Sequence, residues 1–374
     1  MNDSSVKELR ELRYNVQRHR EYSNHRQMSL YHQGKKTAVM EIQHLTGETA
    51  FTTLAPHWDA LARKGMTNTP FQQLSYQASW WHNLHPAGST LHTLVARQPD
   101  GHIAAIGCFY LLDDVLHFNG CVEETDYLDL IATAAEAQES WAAMLDYLLS
   151  PAFPHWRMLE LCNIPENSPS RTMLPAAGAA HGLTIIESVN EVCPVITLPD
   201  SFEAYLESLD SKQRREISRK LRRADGAEAV CHIVGPDEDL DQAVNDFLDL
   251  LQKSTFEKRD WLNEGRRAVF HETAAAAQQA GTLQLMFMEV NGEKAATLFN
   301  FDYDNRIWVY NSGLDPEAFS ALSPGVVMTA WAIENAIENG RAEFDFLRGN
   351  ETYKYRFGAA DTTVYRLQIN RRDA

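Results

Sequence analysis

Four short segments near the C-terminal end of the 374-residue chain gather side chains able to do polar chemistry. They are Tyr310-Asn311-Ser312-Gly313-Leu314-Asp315-Pro316, Leu322-Ser323-Pro324-Gly325, Phe344-Asp345-Phe346-Leu347-Arg348-Gly349 and Tyr353-Lys354-Tyr355-Arg356-Phe357-Gly358. Residues 272–374 hold no histidine and no cysteine. A His-based triad, a cysteine nucleophile or a His-ligated metal therefore cannot be built from that stretch alone. Direct transfer of a group between two bound molecules suits phenols, carboxylates, amides and cations better.

Asp345 sits between two phenylalanines on a strand that otherwise reads as buried, so its carboxylate must face a cleft or be paired. It is either a general base or orienting carboxylate, or the partner of Arg348 or Lys354. Lys354 can stabilise negative charge developing on an acyl oxygen, or can simply be solvated. Tyr353 beside it is an alternative proton acceptor. Ser323 reads as a helix N-cap with Pro324 in the first turn, so the amides of Gly325 and Val326 could hold a phosphate; an ordinarily capped helix has the same signature. Tyr310, Asn311 and Arg348 fall on the substrate side of this group. Trp261, after Phe256-Glu257-Lys258-Arg259-Asp260, lines an acceptor pocket or packs in a core.

Net charge is -17, but its distribution is uneven. The segment Lys212–Arg223 carries seven basic residues and one acidic, while the body of the chain is strongly acidic. An acidic body disfavours general nucleic-acid binding, DNA included. Leu209, Ile217 and Leu221 give the basic segment an apolar stripe at helical spacing. Lys212, Arg215 and Arg219 then either contact a ligand's phosphates or form a solvated face that pairs with the acidic body.

Positioning these groups requires a scaffold, and the sequence contains one twice. Leu91–Gln98, Ile103–Leu112 and Val115–Asn119 read as a three-stranded meander with turns at Asp100-Gly101 and Asp113-Asp114. A helix over about 129–149 and a strand at Trp156–Cys162 follow. Leu283–Val290, Lys294–Tyr303 and Ile307–Asn311 repeat the meander, with turns at Asn291-Gly292 and Asp304-Asn305, 191 residues further on in both cases. A helix over 326–339 ending at Gly340 and a strand at 343–347 complete the second copy. The reading is a duplicated α/β unit: residues 1–40 as a polar, mobile tail, 41–199 as the first unit and 200–374 as the second.

At 44% hydrophobic and 23% charged residues the chain can build sizeable cores. It has no apolar run long enough for a transmembrane span and an N-terminus unlike an export signal, which points to the cytoplasm. The five cysteines are odd in number and scattered, so buried thiols are expected rather than disulfides or a metal cage. His82 and His85 have ligand-like spacing but no visible third partner, so no metal is expected.

The run Ser211–Arg223, then GTLQL, the Asn-Gly hairpin, SGLDP, LSPG, FDFLRG and YKYRFG, resembles in order and spacing the CelD-like and Mig-14-like branch of the GNAT acyltransferase superfamily. The chain is also similar to the FemAB peptidyltransferases, which are built from two GNAT-like units. In the first half the likeness rests on Thr125-Asp126-Tyr127-Leu128-Asp129. The resemblance implies two tandem GNAT-like units, each a mixed sheet flanked by helices, with the active cleft in the second. It implies transfer of an acyl group from acyl-CoA, or from aminoacyl-tRNA in the Fem manner, to the amine of a sugar or cell-envelope precursor. A degenerate, non-catalytic binding module is the third possibility. Lys354 with Phe357-Gly358 matches the Fem-type K-x-x-F-G segment, which implies a place near the transferred carbonyl. The GNAT pyrophosphate loop is absent, and Ser323-Pro324-Gly325 stands in its place.

Overall fold

The computed structural model describes residues 40–121 and 124–371. The expected tail lies, up to residue 39, outside the described residues. The strands are β1 (Glu41–Thr46), β2 (Thr90–Arg97), β3 (Ile103–Leu112), β4 (Val115–Phe118), β5 (Ile131–Ala132), β6 (Met158–Pro165), β7 (Thr184–Thr197), β8 (Val230–Ile233), β9 (Leu283–Val290), β10 (Glu293–Tyr303), β11 (Arg306–Leu314), β12 (Glu343–Asp345) and β13 (Ala360–Asn370).

Both meanders form where the turn residues demand them. Asp113 and Asp114 have φ of 49° and 60°, and Asp304 and Asn305 have 53° and 59°. Two successive left-handed residues make the tight turn whose twist matches that of antiparallel strands. The meander β2-β3-β4 thus repeats as β9-β10-β11. Each is followed by a helix (Ala137–Leu149 or Pro324–Glu338) and then by a strand parallel to the third, β6 beside β4 and β12 beside β11.

All strands join one sheet in the order β1-β2-β3-β4-β6-β13-β7-β12-β11-β10-β9-β8, with β5 paired to β3. At its centre the two copies exchange strands. The last strand, β13, enters between β6 and β7, and β7 enters between β13 and β12, all three contacts antiparallel. The arrangement reads the same from either end, as a duplicated sequence with a pseudo-twofold axis requires. Helices cover both faces. One core lies in the first copy, one lies under helix Pro324–Glu338, and one on the opposite face combines Phe71, Tyr76 and Tyr127 with Phe247, Phe270, Phe299 and Trp308 of the second copy. Among the described residues no helix is long and apolar enough to cross a membrane.

Two expectations are corrected. The helix expected from residue 129 begins at Ala137, because Asp129 is buried and accepts hydrogen bonds from the hydroxyls of Thr67 (2.7 Å), Ser168 and Ser170 (2.6 Å). That network holds the segment against neighbouring elements and lets Ile131–Ala132 pair with β3. Cys121 and Cys162 are joined in a disulfide, their Cα atoms 6.1 Å apart, while Cys108, Cys193 and Cys231 are free. Their separation of 41 residues hides a contact that exists only because β4 runs beside β6.

A polar chain crosses the edge of the first core: Tyr147 Oη lies 3.2 Å from His44 Nδ1, His44 Nε2 lies 2.9 Å from His92 Nδ1, and His92 Nε2 lies 2.9 Å from Thr90 Oγ1. Burial, and then the neighbouring His44 ring, lowers the His92 pKa to about 4. The unfolded chain therefore takes up this proton first as pH falls. The stability tied to neutral His92 is complete above about pH 6.5 and is lost on the way down to about pH 4, on the order of 3 kcal/mol. Urea unfolding at pH 7.5 and pH 4.5 is expected to show this loss, and His92→Gln to reduce it.

Candidate active site

The site begins with a divergence of strands. β11 and β12 pair in parallel only from Arg306 to Trp308 and from Glu343 to Asp345. Beyond Asp345 the chain follows β7 instead: Phe346 N–H donates to Pro194 O at 3.0 Å and Gly349 N–H to Val192 O at 2.9 Å. β11 runs on to Leu314 without it. The gap is an apolar pocket of about 450 Å³, walled by Leu298, Val309, Leu314, Met328, Phe344, Phe346 and Phe357, with Ser312 and Ser323 among its few polar groups.

β11 is also irregular at this point. Phe299 faces Asn311 while Asn300 faces Val309, so Tyr310 is an extra residue in the ladder. A bulge of this kind re-aims side chains. Tyr310 goes to the opposite face, among Phe71, Phe270, Phe299 and Phe301, with its hydroxyl 3.2 Å from that of Tyr76. Gly313 completes the strand where a Cβ would stand 2.5 Å from Leu251 N, so only glycine permits this approach to helix Leu240–Ser254.

The N-terminus of helix Pro324–Glu338 opens onto the pocket. Ser323 occupies the N-cap position in a left-handed conformation, φ 56°, and its side chain makes no cap, which corrects the sequence reading. Val326 and Val327 N–H both donate to Ser323 O, at 3.0 and 3.2 Å, and Pro324 has no N–H. Gly325 is left with the first-turn amide that has no intramolecular partner among the described residues. One free amide at a positive helix end attracts an anion more weakly than a loop of amides.

A second cavity of about 490 Å³ adjoins the first and shares Val326, Tyr353 and Phe357 with it. Its wall is the basic helix Ser211–Asp225, anchored by buried Ile217 and Ala224 and capped by Asp210, whose carboxylate accepts from Lys212 N at 2.9 Å and Gln213 N at 3.0 Å. Lys212, Arg215, Arg219 and Lys220 line the cleft together with Arg356. Glu216 neutralises part of this charge by pairing with Arg219 (2.9 Å) and Lys220 (3.2 Å), while Lys212 and Arg215 have no carboxylate partner among the described residues. Tyr353 stands where apolar pocket and basic cleft meet, edge-on to Phe346. Its surroundings, and then the Glu351 carboxylate, push its phenol pKa up. It keeps its proton at neutral pH.

Ser323, Gly325 and Val326 are thus brought together with Lys212, Arg215, Arg219 and Tyr353; the other sequence candidates are not. Asp345 is completely buried and points away from the pocket, because alternation along β12 gives Phe344 and Phe346 that face. It accepts from Tyr127 Oη at 2.9 Å and Leu347 N at 2.8 Å and pairs with Arg306 at 3.3 Å, not with Arg348 or Lys354. Burial raises its pKa to about 6 against the opposing pull of Arg306. Arg348 pairs with Asp126 at 2.8 Å across the two copies. Trp261 is half-buried, packing edge-on to Phe270 and beneath the Arg266 guanidinium. Asn311 accepts from Lys258 Nζ at 3.0 Å.

Lys354 is 3% exposed, and its Nζ donates to the carbonyls of Leu347 (3.2 Å), Arg348 (2.8 Å) and Gly349 (3.1 Å) while pairing with Glu351 at 2.9 Å. It fastens the loop that leaves β12. Lys258 was not singled out from its segment in the sequence, yet it reaches Ser312 O at 2.5 Å at the edge of the pocket, and burial lowers its pKa to about 8. Only its position beside Asn311 and Ser312, 53 residues away in sequence, distinguishes it. Replacing Lys354 by Met removes the shared donor of three carbonyls and is expected to cost about 3 kcal/mol, read as a lower urea midpoint.

Residues 211–355, which span the basic helix and most of both cavities, match the family model for an acetyltransferase (GNAT) domain. No curated protein matches the chain. Among solved structures, FemX superposes with a TM-score of 0.60 at 10% identity, over 87% of this chain and 97% of that one. The C-terminal domain (DUF2156) of a putative lysylphosphatidylglycerol synthetase from Agrobacterium fabrum gives 0.55 at 9% identity, over 87% and 93%. L-PGS from Bacillus licheniformis gives 0.53 at 10% identity, over 85% and 92%. At such identities the likeness is one of fold, and it extends over both copies. Residues 211–355 are thus similar to the GNAT acetyltransferase domain, and the chain as a whole shares its fold with FemX.

Proposed function

We propose that the protein is an N-acyltransferase that moves an acyl group from acyl-CoA to the amine of a small acceptor, an amino sugar or cell-envelope precursor, in the cytoplasm. The observation that carries this reading is the continuity of the apolar pocket with the basic cleft around Val326, Tyr353 and Phe357. An acyl thioester on a long arm of methylene and amide groups that ends in phosphates likewise runs from an apolar end to a charged one. The acyl group and arm would occupy the pocket, and the phosphates would meet Lys212, Arg215 and Arg219, helped by Lys220, Arg356 and the Gly325 amide. We take residues 41–199 and 200–374 as the two units of the duplication, with the reaction in the second.

The neutral amine attacks the thioester carbonyl carbon; a C–N bond forms, the C–S bond breaks, and the sulfur leaves as a thiolate. Tyr353 gives its proton to that thiolate, and the proton released from nitrogen returns to the tyrosinate through solvent. Asp345 and Lys354 contribute through position: one braces β12 against Tyr127 and Arg306, the other holds the loop after it.

The alternative donor, aminoacyl-tRNA, is favoured by one feature: the basic cleft offers side-chain charge but a single free amide at the helix end, less than a compact pyrophosphate usually finds. Calorimetric titration with CoA and acetyl-CoA distinguishes the two. Saturable binding, weakened about tenfold or more when Lys212, Arg215 and Arg219 are all changed to Gln, is the expected result. Tyr353→Phe is then expected to lower turnover about a hundredfold with little change in CoA affinity. Salt-sensitive tRNA binding without CoA binding would transfer the assignment to the second donor. Binding of neither would leave a non-catalytic module.

A further inference from the structure

The floor of the apolar pocket is wider than a two-carbon acyl group needs. It crosses three strands on one face of the sheet: Phe344 stands on β12 with Phe346 just after it, Val309 and Leu314 stand on β11, and Ala296 and Leu298 on β10. Register puts them on one side, since Ala296 faces Leu314, Leu298 faces Ser312 and Ile307 faces Phe344, and the bulge at Tyr310 keeps Val309 in line with the rest. Met328, on helix Pro324–Glu338, closes the pocket opposite this floor. Neighbouring strands lie about 4.8 Å apart, so the floor from β12 to β10 spans roughly 10 Å, the length of a saturated chain of about six to eight carbons. Leu298, on the strand furthest from β12, is 5% exposed and Val309 is 7% exposed, and both face this cavity.

The polar groups on the far wall are turned elsewhere. Asp315 pairs with Lys253 at 3.1 Å and accepts from the Glu317 and Ala318 amides at 3.0 and 3.2 Å. Thr297 donates its hydroxyl to Met286 O at 2.8 Å, and Thr329 donates to Gly325 O at 2.8 Å. The remaining polar wall residues, Ser312, Ser320 and Ser323, belong to the end of β11 and to the turn before the helix, not to β10. An arm that carries amides finds partners there. Past β11 the wall offers hydrocarbon contact alone, which stabilises each methylene laid against it. The ammonium of an aminoacyl group would lie against it unpaired, at a cost in free energy.

We propose that the transferred acyl group is a straight hydrocarbon chain of about six to eight carbons, lying across β11 with its end against Leu298 and Met328. The proposal rests on the acyl-CoA reading above and places the thioester where β11 and β12 part. Leu298 then sets the chain length that the pocket accepts.

Calorimetric titration of the full-length protein with CoA, acetyl-CoA, hexanoyl-CoA and octanoyl-CoA tests the assignment. Affinity is expected to rise about threefold for each added methylene, so that hexanoyl-CoA binds about thirtyfold or more tighter than acetyl-CoA. Leu298→Phe shortens the floor and is expected to reduce the ratio of octanoyl-CoA to acetyl-CoA affinity about tenfold or more. Leu298→Ala lengthens it and is expected to move the tightest binding to decanoyl-CoA. A ratio measured within one variant is independent of any loss of folded protein. Binding of CoA with no gain from the hexanoyl or octanoyl chain overturns the proposal and leaves the donor reading in place. A chain-length gain that Leu298→Phe does not change overturns the assignment to this pocket. Failure of CoA and of every acyl-CoA to bind overturns the donor reading, and the proposal with it.

Discussion

The exchange of β7 and β13 is the constraint on which the rest of the molecule depends. In each copy the parallel pair is completed by the other copy's long strand, and the central ladder from β6 through β13 and β7 to β12 is antiparallel throughout. Had each copy kept its own strand, two smaller sheets would meet edge to edge or present four open edges. Exchange turns them into one sheet whose edges are β1 and β8.

The same exchange opens the cleft. Parallel neighbours would ordinarily stay paired along their length, but the chain after Asp345 finds better partners in Pro194 and Val192 of β7, and leaves β11. The loop made by that departure includes Leu347 and Gly349 at φ 59° and 112°, and the ammonium of Lys354 gathers its carbonyls. Arg348 ties it to Asp126 of the first copy. In the first copy the corresponding space beyond β4 is filled by the chain itself: Leu128 N–H donates to Asn163 O at 3.0 Å, Asn163 Nδ2 donates to Thr125 O at 2.6 Å, and Thr125 and residues 127–131 are buried. Duplication supplied two divergences, and the structure keeps the second as a cavity.

What could be read from sequence follows from locality. Both meanders, their turns and the helix ending before Gly340 are specified by residues a few positions apart, and they stand where the spacing puts them. The basic helix and the Ser323-Pro324-Gly325 turn were legible for the same reason, and they wall two adjoining cavities. Asp345, Lys354 and Cys121 were not, because each is defined by a partner far away in the chain: Tyr127 and Arg306 for the first, the route of a loop along β7 for the second, Cys162 on a parallel neighbour for the third. Sequence identifies a charged residue in an apolar run as unusual, but whether it faces a cleft or a partner depends on strand alternation relative to the other copy. Lys258 shows the converse, a solvated-looking lysine that tertiary contact buries beside Ser312.

The position of β13 also bears on how the protein is made. Leu367 pairs with Leu161, so the first copy lacks a neighbour for β6 until roughly two hundred further residues have left the ribosome. The apolar first half must wait with its strands β6 and β7 unclosed, a period in which exposed ladder groups invite pairing with other chains. Synthesis therefore cannot hand over a finished first domain before beginning the second. The edge of β6 stays open until the last strand arrives.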